Sequence, residues 1–197
     1  EIGVRLVGSE MCIRDRAGIA ALALHGRTRE DMYLNTARYD LIKEVKQLIH
    51  IPVVANGDID SPEKAKYVLD YTGADAIMIG RAAQGRPWIF REIAHYLETG
   101  EHLAAPSIQE VKEVLLGHLA ELYAFYGEYS GCRIARKHIA WYTKGLRSSN
   151  EFRQNMYKVE STTEQFKVVA DYFDQLLIHG ETMNDVQVEQ VNLLETK

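Results

Sequence analysis

The chain has 197 residues, of which 46% are hydrophobic and 26% are charged, so it has the size of one or two globular domains. This composition excludes a protein that is disordered or collagen-like as a whole. The 23 lysine and arginine residues and 28 aspartate and glutamate residues give a net charge of −5, which repels phosphate, so any nucleic-acid interface must be a local basic patch.

Two cysteines, Cys12 and Cys132, are too few for a disulfide scaffold and have no spacing typical of a zinc site. No apolar stretch approaches the roughly 18 residues that a membrane span needs, and the first residues show no signal-peptide pattern. We therefore expect a soluble, monomeric protein of the reducing cytoplasm, with no membrane partner and no bound metal.

Three short apolar runs of strand length follow one another: Ile19 to His25, Pro52 to Asn56 and Asp75 to Gly80. None alternates polar and apolar residues, which is typical of strands buried on both faces of a parallel sheet. Helical patterns separate them, at 40–49 and at 61–71, where Ser61 is an N-cap and Pro62 occupies the first helical position. The order strand, helix, strand, helix, strand predicts an α/β fold with a parallel sheet.

Further along, the chain carries only helical patterns, which predict helices at 107–126, 131–147, 151–159 and 162–178. We therefore expect an all-helical domain over residues 107–178. A linker at 98–106 joins it to the α/β part, residues 17–100.

The two ends of the chain fit neither pattern. Residues 1–16 include VGSEMCIRDR, which resembles a translated sequencing adapter, so this segment is either native or an artefact; if it is an artefact, Cys12 has no biological role. Residues 179–197 are polar with no clear period, and we expect them to be disordered.

Two glycine-containing turns follow consecutive predicted strands: Asn56-Gly57-Asp58 and Gly80-Arg81. Glycine lets backbone N–H groups approach an anion, and we expect residues 81–84 to begin a helix whose N-terminal dipole favours phosphate. In a (β/α)₈ barrel, the loops after the last two strands often form such a phosphate site. The alternative is that both are only tight turns between strands and helices.

The first predicted strand ends with His25-Gly26-Arg27-Thr28 at the same rim of the sheet. There, His25 can donate a hydrogen bond to a polar edge of a ligand, and Arg27 can neutralise an anion. The alternative for His25 is a purely structural histidine.

A second candidate site is helical. Seven basic residues and one acidic residue, Glu151, lie between Cys132 and Lys158. At 100° per residue, five of the basic residues fall within an arc of about 100° on a predicted helix: Arg133, Arg136, Lys137, Lys144 and Arg147.

The opposite side of that helix is apolar, with Ala135, Ile139, Tyr142 and Leu146, and we expect Trp141 and Tyr142 to be core residues. A face of one charge sign favours binding to a phosphate backbone, and the alternative is an ordinary solvated face.

Four segments together resemble one known family: HGRT at 25–28, IPVVANGDI at 51–59, TGADAIMIGRAAQGRPWIF at 72–90 and RIARKHIAWY at 133–142. They are similar to the tRNA-dihydrouridine synthase family, in particular its bacterial B subfamily, over residues 17–173. The resemblance implies the last three βα units of a TIM barrel that binds FMN, followed by a helical tRNA-binding domain. It also implies an oxidoreductase in which NADPH reduces the flavin, a hydride passes to C6 of a tRNA uracil, and a cysteine protonates C5.

By this resemblance, six positions match the family's FMN site: His25, Asn56, Gly57, Asp58, Gly80 and Arg81. The tRNA contacts implied by the resemblance are the same five basic residues: Arg133, Arg136, Lys137, Lys144 and Arg147. A local basic helix of this kind reconciles a tRNA partner with the acidic total charge.

The chain departs from the family pattern because the earlier barrel strands, with the catalytic cysteine, have no counterpart before HGRT. Neither Cys12 nor Cys132 matches that catalytic position, so we assign no catalytic residue here. We expect this polypeptide to be an inactive fragment of such an enzyme. Two other functions stay open: a different FMN- or phosphate-binding barrel oxidoreductase acting on a small molecule, and a helical RNA-binding module without catalysis.

Overall fold

A computed structural model of the chain describes residues 18–28 and 36–183. The expectations for residues 1–16 and for most of 179–197 lie outside this part of the chain. The described strands are β1 Leu22–His25, β2 Val53–Asn56 and β3 Ala76–Met78. The described α-helices are α1 Tyr39–Leu48, α2 Pro62–Thr72, α3 Ile89–Thr99, α4 Ile108–Tyr142, α5 Ser149–Met156 and α6 Thr162–Ile178.

The chain divides into two compact units. The first contains the described residues up to Ala83 together with Pro87–Leu103, and the second contains Gln84–Arg86 and the described residues from Ala104 onward. Within the described ranges, no helix is both long enough and apolar enough to cross a membrane.

The first unit is built on a parallel three-stranded sheet in the order β1-β2-β3. The three predicted strands are confirmed, each somewhat shorter than the apolar run that predicted it. The central strand, β2, is the most deeply buried, since Val53 and Ala55 have no exposed surface. Helices α1 and α2 contribute Ile42 and Val68 to the same core. This arrangement confirms a mixed α/β fold.

The start of α2 confirms the predicted capping. The hydroxyl of Ser61 accepts a hydrogen bond from the backbone N–H of Lys64 at 3.1 Å, and Pro62 occupies the first turn, where its missing N–H has no intrahelical partner to lose. The helix ends at Gly73, whose φ of 69° is the left-handed conformation that closes many helices.

The prediction that a helix starts at Arg81 is wrong. Residues Arg81–Ala83 form only a single 3₁₀ turn, closed by the N–H of Ala83 donating to the carbonyl of Gly80 at 3.1 Å. Gly85 then adopts a left-handed φ of 74°, and Pro87 disfavours helical backbone at the residue before it. Helix α3 therefore begins only at Ile89, and it was not predicted.

In the second unit, the break predicted between the helices 107–126 and 131–147 is present as a kink inside α4. Gly127 has non-helical backbone, with φ 72° and ψ −179°, and one helical segment lies on each side of it. The predicted continuation to residue 147 is wrong because α4 ends at Tyr142. There, the Thr143 hydroxyl donates to the carbonyl of Ile139 at 2.8 Å, and Gly145 turns left-handed with φ 84°.

The core of the second unit lies between α4 and α6. The apolar side predicted for α4 is confirmed, since Ala135 and Ile139 have no exposed surface. A buried polar residue, Gln165, joins the two helices: its Oε1 accepts from the Tyr123 hydroxyl at 2.7 Å and its Nε2 donates to the carbonyl of Cys132 at 3.2 Å. These bonds satisfy a side chain that would otherwise be costly to bury.

In the first unit, an ion pair ties the carboxyl ends of β1 and β2 together. Arg27 Nη1 and Nη2 donate to the two carboxylate oxygens of Asp58 at 2.8 and 2.5 Å. The Arg27 side chain is 6% exposed and that of Asp58 is 26% exposed. Burial raises the pKa of Asp58, but the hydrogen bonds from Arg27 and Ala37 and the charge of Arg27 outweigh it and hold the pKa below the ordinary value of 3.8.

We expect Asp58→Asn to lower the free energy of unfolding at neutral pH by about 2–4 kcal/mol, because it removes the negative charge that accepts two hydrogen bonds from the buried Arg27. Because the pKa of Asp58 is lower in the folded protein, the stabilisation is present above the ordinary pKa and is lost as pH falls through the folded one. Urea unfolding at several pH values should therefore show the two proteins converging in acid.

The matched control is Asp70→Asn, which breaks the pair between Lys66 and Asp70 within α2. Both of those side chains are more than half exposed. We expect this variant to change the free energy of unfolding by less than about 0.5 kcal/mol. Equal losses in Asp58→Asn and Asp70→Asn would contradict the importance given to the buried pair.

Candidate functional site

The register of the parallel sheet brings three strand ends into one row. His25 of β1 pairs with Asn56 of β2, and Asn56 pairs with Met78 of β3. Because the strands are parallel, their carboxyl ends meet at one edge of the sheet, where the two predicted glycine turns also begin. We call the group of predicted residues at this edge the strand-end site: His25, Asn56, Gly57, Asp58, Gly80 and Arg81.

Hydrogen bonds connect the side chains of this row. Asn56 Nδ2 donates to the backbone carbonyl of Met78 at 2.7 Å, which fixes the orientation of the amide because a carbonyl oxygen only accepts. Asn56 Oδ1 therefore faces His25 Nδ1, 2.6 Å away, and His25 must carry its proton on Nδ1. In neutral His25, Nε2 is then an acceptor, so donation from Nε2 to a ligand requires the protonated ring.

The turn after β2 is held closely against the segment before α1. Gly57 has φ 125°, and a Cβ atom at this position would lie 2.8 Å from the Cβ of Ala37. The hydroxyl of Tyr39 donates to the carbonyl of Gly57 at 2.6 Å. Burial, followed by the charge of Asp58, raises the pKa of Tyr39 to about 12, so the hydroxyl keeps its proton and remains a donor. Only glycine fits this turn.

Asp58 pairs with two arginines, one of which is buried and the other exposed. Arg27, which the sequence suggested as an anion ligand, is bound to Asp58 in a bidentate pair. Arg81 approaches the same carboxylate from the solvent side, with Nη2 3.3 Å from Asp58 Oδ1, and its side chain is 60% exposed. Arg81 is therefore the cation that is accessible to an anionic ligand.

All residues of the strand-end site line one cavity of about 640 Å³. The remaining lining residues are Ile59, Asp60, Met78 and Ala82. Its volume is that of an ordinary small-molecule or cofactor site. At Gly80 the space around an added Cβ is open, so the backbone of this turn is accessible. Because Arg81–Ala83 is only one short 3₁₀ turn, the helix-dipole contribution expected from the sequence does not apply, and the positive charge of an arginine at this cavity comes from Arg81.

Sequence analysis missed two residues that shape this site, Ala37 and Tyr39. The N–H of Ala37 donates to Asp58 Oδ2 at 3.0 Å, and Tyr39 holds Gly57 as described. Both lie at the start of a helix that follows a parallel strand, and such helix starts lie at the same edge of the sheet as the strand ends. Their position at the start of the helix after β1 was therefore the signal in the sequence that could have identified these two residues.

Of the basic residues predicted within α4, two are exposed and one is not. Arg133 and Lys137 are exposed on the helix. Arg136 is partly buried, its Nη2 donates to the carbonyl of Val159 at 3.0 Å, and its Nε is buried without a hydrogen-bond partner in the described chain. The Arg136 side chain therefore joins α4 to the loop before α6.

The last two predicted basic residues follow α4 rather than belonging to it. Lys144 and Arg147 are exposed in the turn after Tyr142, so the helical arc drawn from the sequence does not apply to them. The backbone of Arg147 is fixed on both sides: its N–H donates to Glu181 at 2.8 Å and its carbonyl accepts from the Tyr172 hydroxyl at 2.7 Å. We call the four exposed residues the basic surface: Arg133, Lys137, Lys144 and Arg147.

His138, which lies beside the basic surface, adds no charge to it. Burial, followed by the neighbouring His118 and Lys137, lowers the pKa of His138 to about 4, so His138 is neutral at pH 7. Its ring packs edge-on against His118 and Trp141, with ring centres 4.8 and 5.0 Å away. Tyr142 is a core residue as predicted, whereas Trp141 is only partly buried.

Neither a metal-holding cluster of three side chains nor an exposed thiol is found among residues 18–28 and 36–183. No three histidine, cysteine, aspartate or glutamate side chains of these ranges are placed to hold a metal ion. Cys132 is 2% exposed, its thiol donates to the carbonyl of Val159 at 3.4 Å, and burial raises its pKa. Cys12 lies outside the described residues.

The sequence matches a known protein family over most of its length. The sequence profile of the family described as dihydrouridine synthase (Dus) matches residues 11–177. Proteins named tRNA-dihydrouridine synthase B are 58% identical in Shewanella oneidensis (84% of this chain, 51% of the relative), 57% identical in Vibrio vulnificus (83% and 51%) and 56% identical in Pseudomonas aeruginosa (85% and 51%).

The chain thus spans about half the length of the curated relatives that it matches. The matched region contains the whole strand-end site and the whole basic surface. With a family profile that covers most of its residues and relatives above 50% identity, this chain belongs to the dihydrouridine synthase (Dus) family, and its relatives are of the bacterial B type.

Proposed function

We propose that this chain carries part of the cofactor site and the tRNA-binding surface of an FMN-dependent tRNA-dihydrouridine synthase. Such an enzyme acts in the cytoplasm and uses NADPH to reduce the C5=C6 bond of uridines in tRNA. The observation that carries the proposal is the convergence of His25, Asn56, Gly57, Asp58, Gly80 and Arg81 around one cavity in a member of this family. The names of the relatives supply the substrate.

We also infer that the first unit is formed by the last three βα units of a TIM barrel. Its strands are parallel and neighbours in chain order, as in such a barrel. Ala76 and Met78 of β3 are exposed, although strands of a parallel barrel are normally covered on both faces. Ala76 and Met78 are two positions apart and share one face of the sheet, which in a closed barrel is covered by interior side chains or by the outer helices.

The strand-end site fits the polar groups of FMN. Arg81 supplies an accessible positive charge for the phosphate, and the open backbone at Gly80 allows close approach. His25 and Asn56 form a fixed polar row in which His25 Nε2 is the ring nitrogen that remains for a ligand. When bound, FMN supplies the two-electron chemistry that links NADPH oxidation to the reduction of uracil.

The basic surface is the proposed contact with the tRNA backbone. Arg133, Lys137, Lys144 and Arg147 are all exposed, and the sequence from Tyr129 to Asn150 contains no acidic residue. Backbone contacts of this kind provide affinity without reading sequence. We propose that Arg136 has an indirect role in tRNA binding. Its guanidinium donates a hydrogen bond to the carbonyl of Val159 and so positions the loop before α6.

We propose that the 197-residue chain alone does not reduce uridine. Reduction requires a proton at C5, which the family resemblance assigns to a cysteine, and the buried Cys132 donates its thiol hydrogen to Val159 instead. The test is nucleoside mass spectrometry after incubation with FMN, NADPH and unmodified tRNA, with a full-length relative as positive control. Dihydrouridine formed by this chain alone would contradict the proposal.

If Arg81 binds the phosphate of FMN, the chain should bind FMN about tenfold more tightly than riboflavin, which has no phosphate. Arg81→Ala should remove this preference by lowering the affinity for FMN alone. Quenching of flavin fluorescence measures both affinities. Arg91→Ala is the matched control, since Arg91 is exposed in the same unit but does not line the cavity. Equal affinities for the two flavins, or no binding of either, would exclude this phosphate site.

If the basic surface binds the tRNA backbone, affinity should fall steeply with salt. Lys144→Ala should weaken binding and lower the slope of log K against log salt by about one, because one phosphate contact is lost. Lys167→Ala is the matched control, an exposed lysine on α6, and it should leave the slope unchanged. Fluorescence anisotropy with labelled tRNA gives both quantities. Salt-independent or absent binding would refute the tRNA-binding surface.

A further inference from the structure

Four side chains occur at every fourth position along the second part of α4: Tyr129, Arg133, Lys137 and Trp141. Residues four apart lie next to each other on a helix, so the four form a continuous stripe. With a rise of 1.5 Å per residue, the stripe extends about 18 Å along the helix. We call it the aromatic–cation ladder.

Within the ladder, each cation lies over an aromatic ring. The Arg133 guanidinium carbon is 3.7 Å from the centre of the Tyr129 ring, which is stacking distance. Lys137 Nζ is 5.9 Å from the centre of the Trp141 ring. These contacts hold both charges beside ring surfaces rather than leaving them as independent side chains in solvent.

The ladder is unusually exposed for a surface that contains two large rings. Tyr129 is 72% exposed and Arg133 is exposed beside it, while Trp141 is partly buried against His138. Solvent-facing tyrosine rings and arginine planes are surfaces on which unpaired bases stack. A planar guanidinium that contacts a ring with one face has its other face directed away from that ring.

The charge around the ladder limits what can cover it. Glu128, directly before the ladder, accepts hydrogen bonds from Thr162, and no acidic residue occurs from Tyr129 to Asn150, so this segment favours an anionic partner. An apolar protein surface would have to remove water from Arg133 and Lys137 without supplying a counter-charge, which is costly. RNA supplies both flat bases and phosphates.

We propose that the aromatic–cation ladder binds unpaired nucleotides of RNA, with a base stacked on the Tyr129–Arg133 pair and phosphates neutralised by Arg133 and Lys137. This inference rests on the proposed tRNA-binding function and adds to it the kind of RNA segment that is recognised. A duplex offers phosphates but no accessible base faces, so the ladder distinguishes looped or single-stranded RNA from paired RNA.

The test compares the full 197-residue chain with its Tyr129→Ala variant, using a single-stranded RNA that contains one 2-aminopurine and a duplex of equal charge. We expect Tyr129→Ala to weaken single-strand binding by about 5- to 100-fold and to remove the quenching of 2-aminopurine, because one stacked base is lost. Duplex binding should be unchanged. Arg133→Lys, which keeps the charge but not the plane, should also reduce the quenching.

Two further variants separate stacking from folding. Tyr129→Phe keeps the ring and should behave as the unchanged chain, and Tyr157→Ala removes another exposed tyrosine of the same unit and should have no effect. Equal losses for duplex and single strand, or a change of oligomeric state in Tyr129→Ala, would overturn the proposal, the latter by identifying a second copy as the partner. If tRNA binding depends on salt but is unaffected by Tyr129→Ala, only the proposal for the aromatic–cation ladder is overturned. If the chain does not bind tRNA, both this proposal and the proposed tRNA-binding surface are overturned.

Discussion

The geometry of the strand-end site depends on one carboxylate, that of Asp58. It accepts two hydrogen bonds from the buried Arg27 and one from the N–H of Ala37, and so connects the ends of two neighbouring strands with the segment before α1. Asp58 itself has a left-handed backbone with φ 49°, which costs about 1 kcal/mol outside glycine and which these bonds offset. Because Tyr39 also holds the carbonyl of Gly57, this edge of the cavity is fixed before any ligand arrives.

Each unit has one arginine that is bound to a group of the protein and another that is exposed. In the first, Arg27 is bound to Asp58 while Arg81 is exposed beside the same carboxylate. In the second, Arg136 is bound to the carbonyl of Val159 while Arg133 is exposed on the same helix. A guanidinium has enough donors to hold a loop in place, and a buried one is expensive unless it does so. Position in a basic or ligand-binding motif therefore does not by itself identify a ligand-binding arginine.

The parts of the fold that were predicted correctly depend on local signals. The apolar runs, the cap at Ser61 and the apolar side of α4 are decided by residues a few positions apart. The contacts that the sequence did not reveal depend on distant partners: Arg27 binds a residue 31 positions away, and Arg136 one 23 positions away. Gly85 is a further case, since a Cβ there would lie 2.5 Å from the backbone of Trp141, and nothing near residue 85 in the sequence indicates that contact.

The acidic total charge and the basic surface act over different distances. At physiological ionic strength, charges on the surface are screened beyond about 8 Å, so a net charge of −5 is compatible with a local basic surface that contacts an anionic partner. Neutral His138 contributes nothing there, and the cations over Tyr129 and Trp141 are held close to flat rings. For the proposed tRNA contact, recognition is then short-ranged, which places its selectivity in contacts with individual nucleotides rather than in long-range attraction.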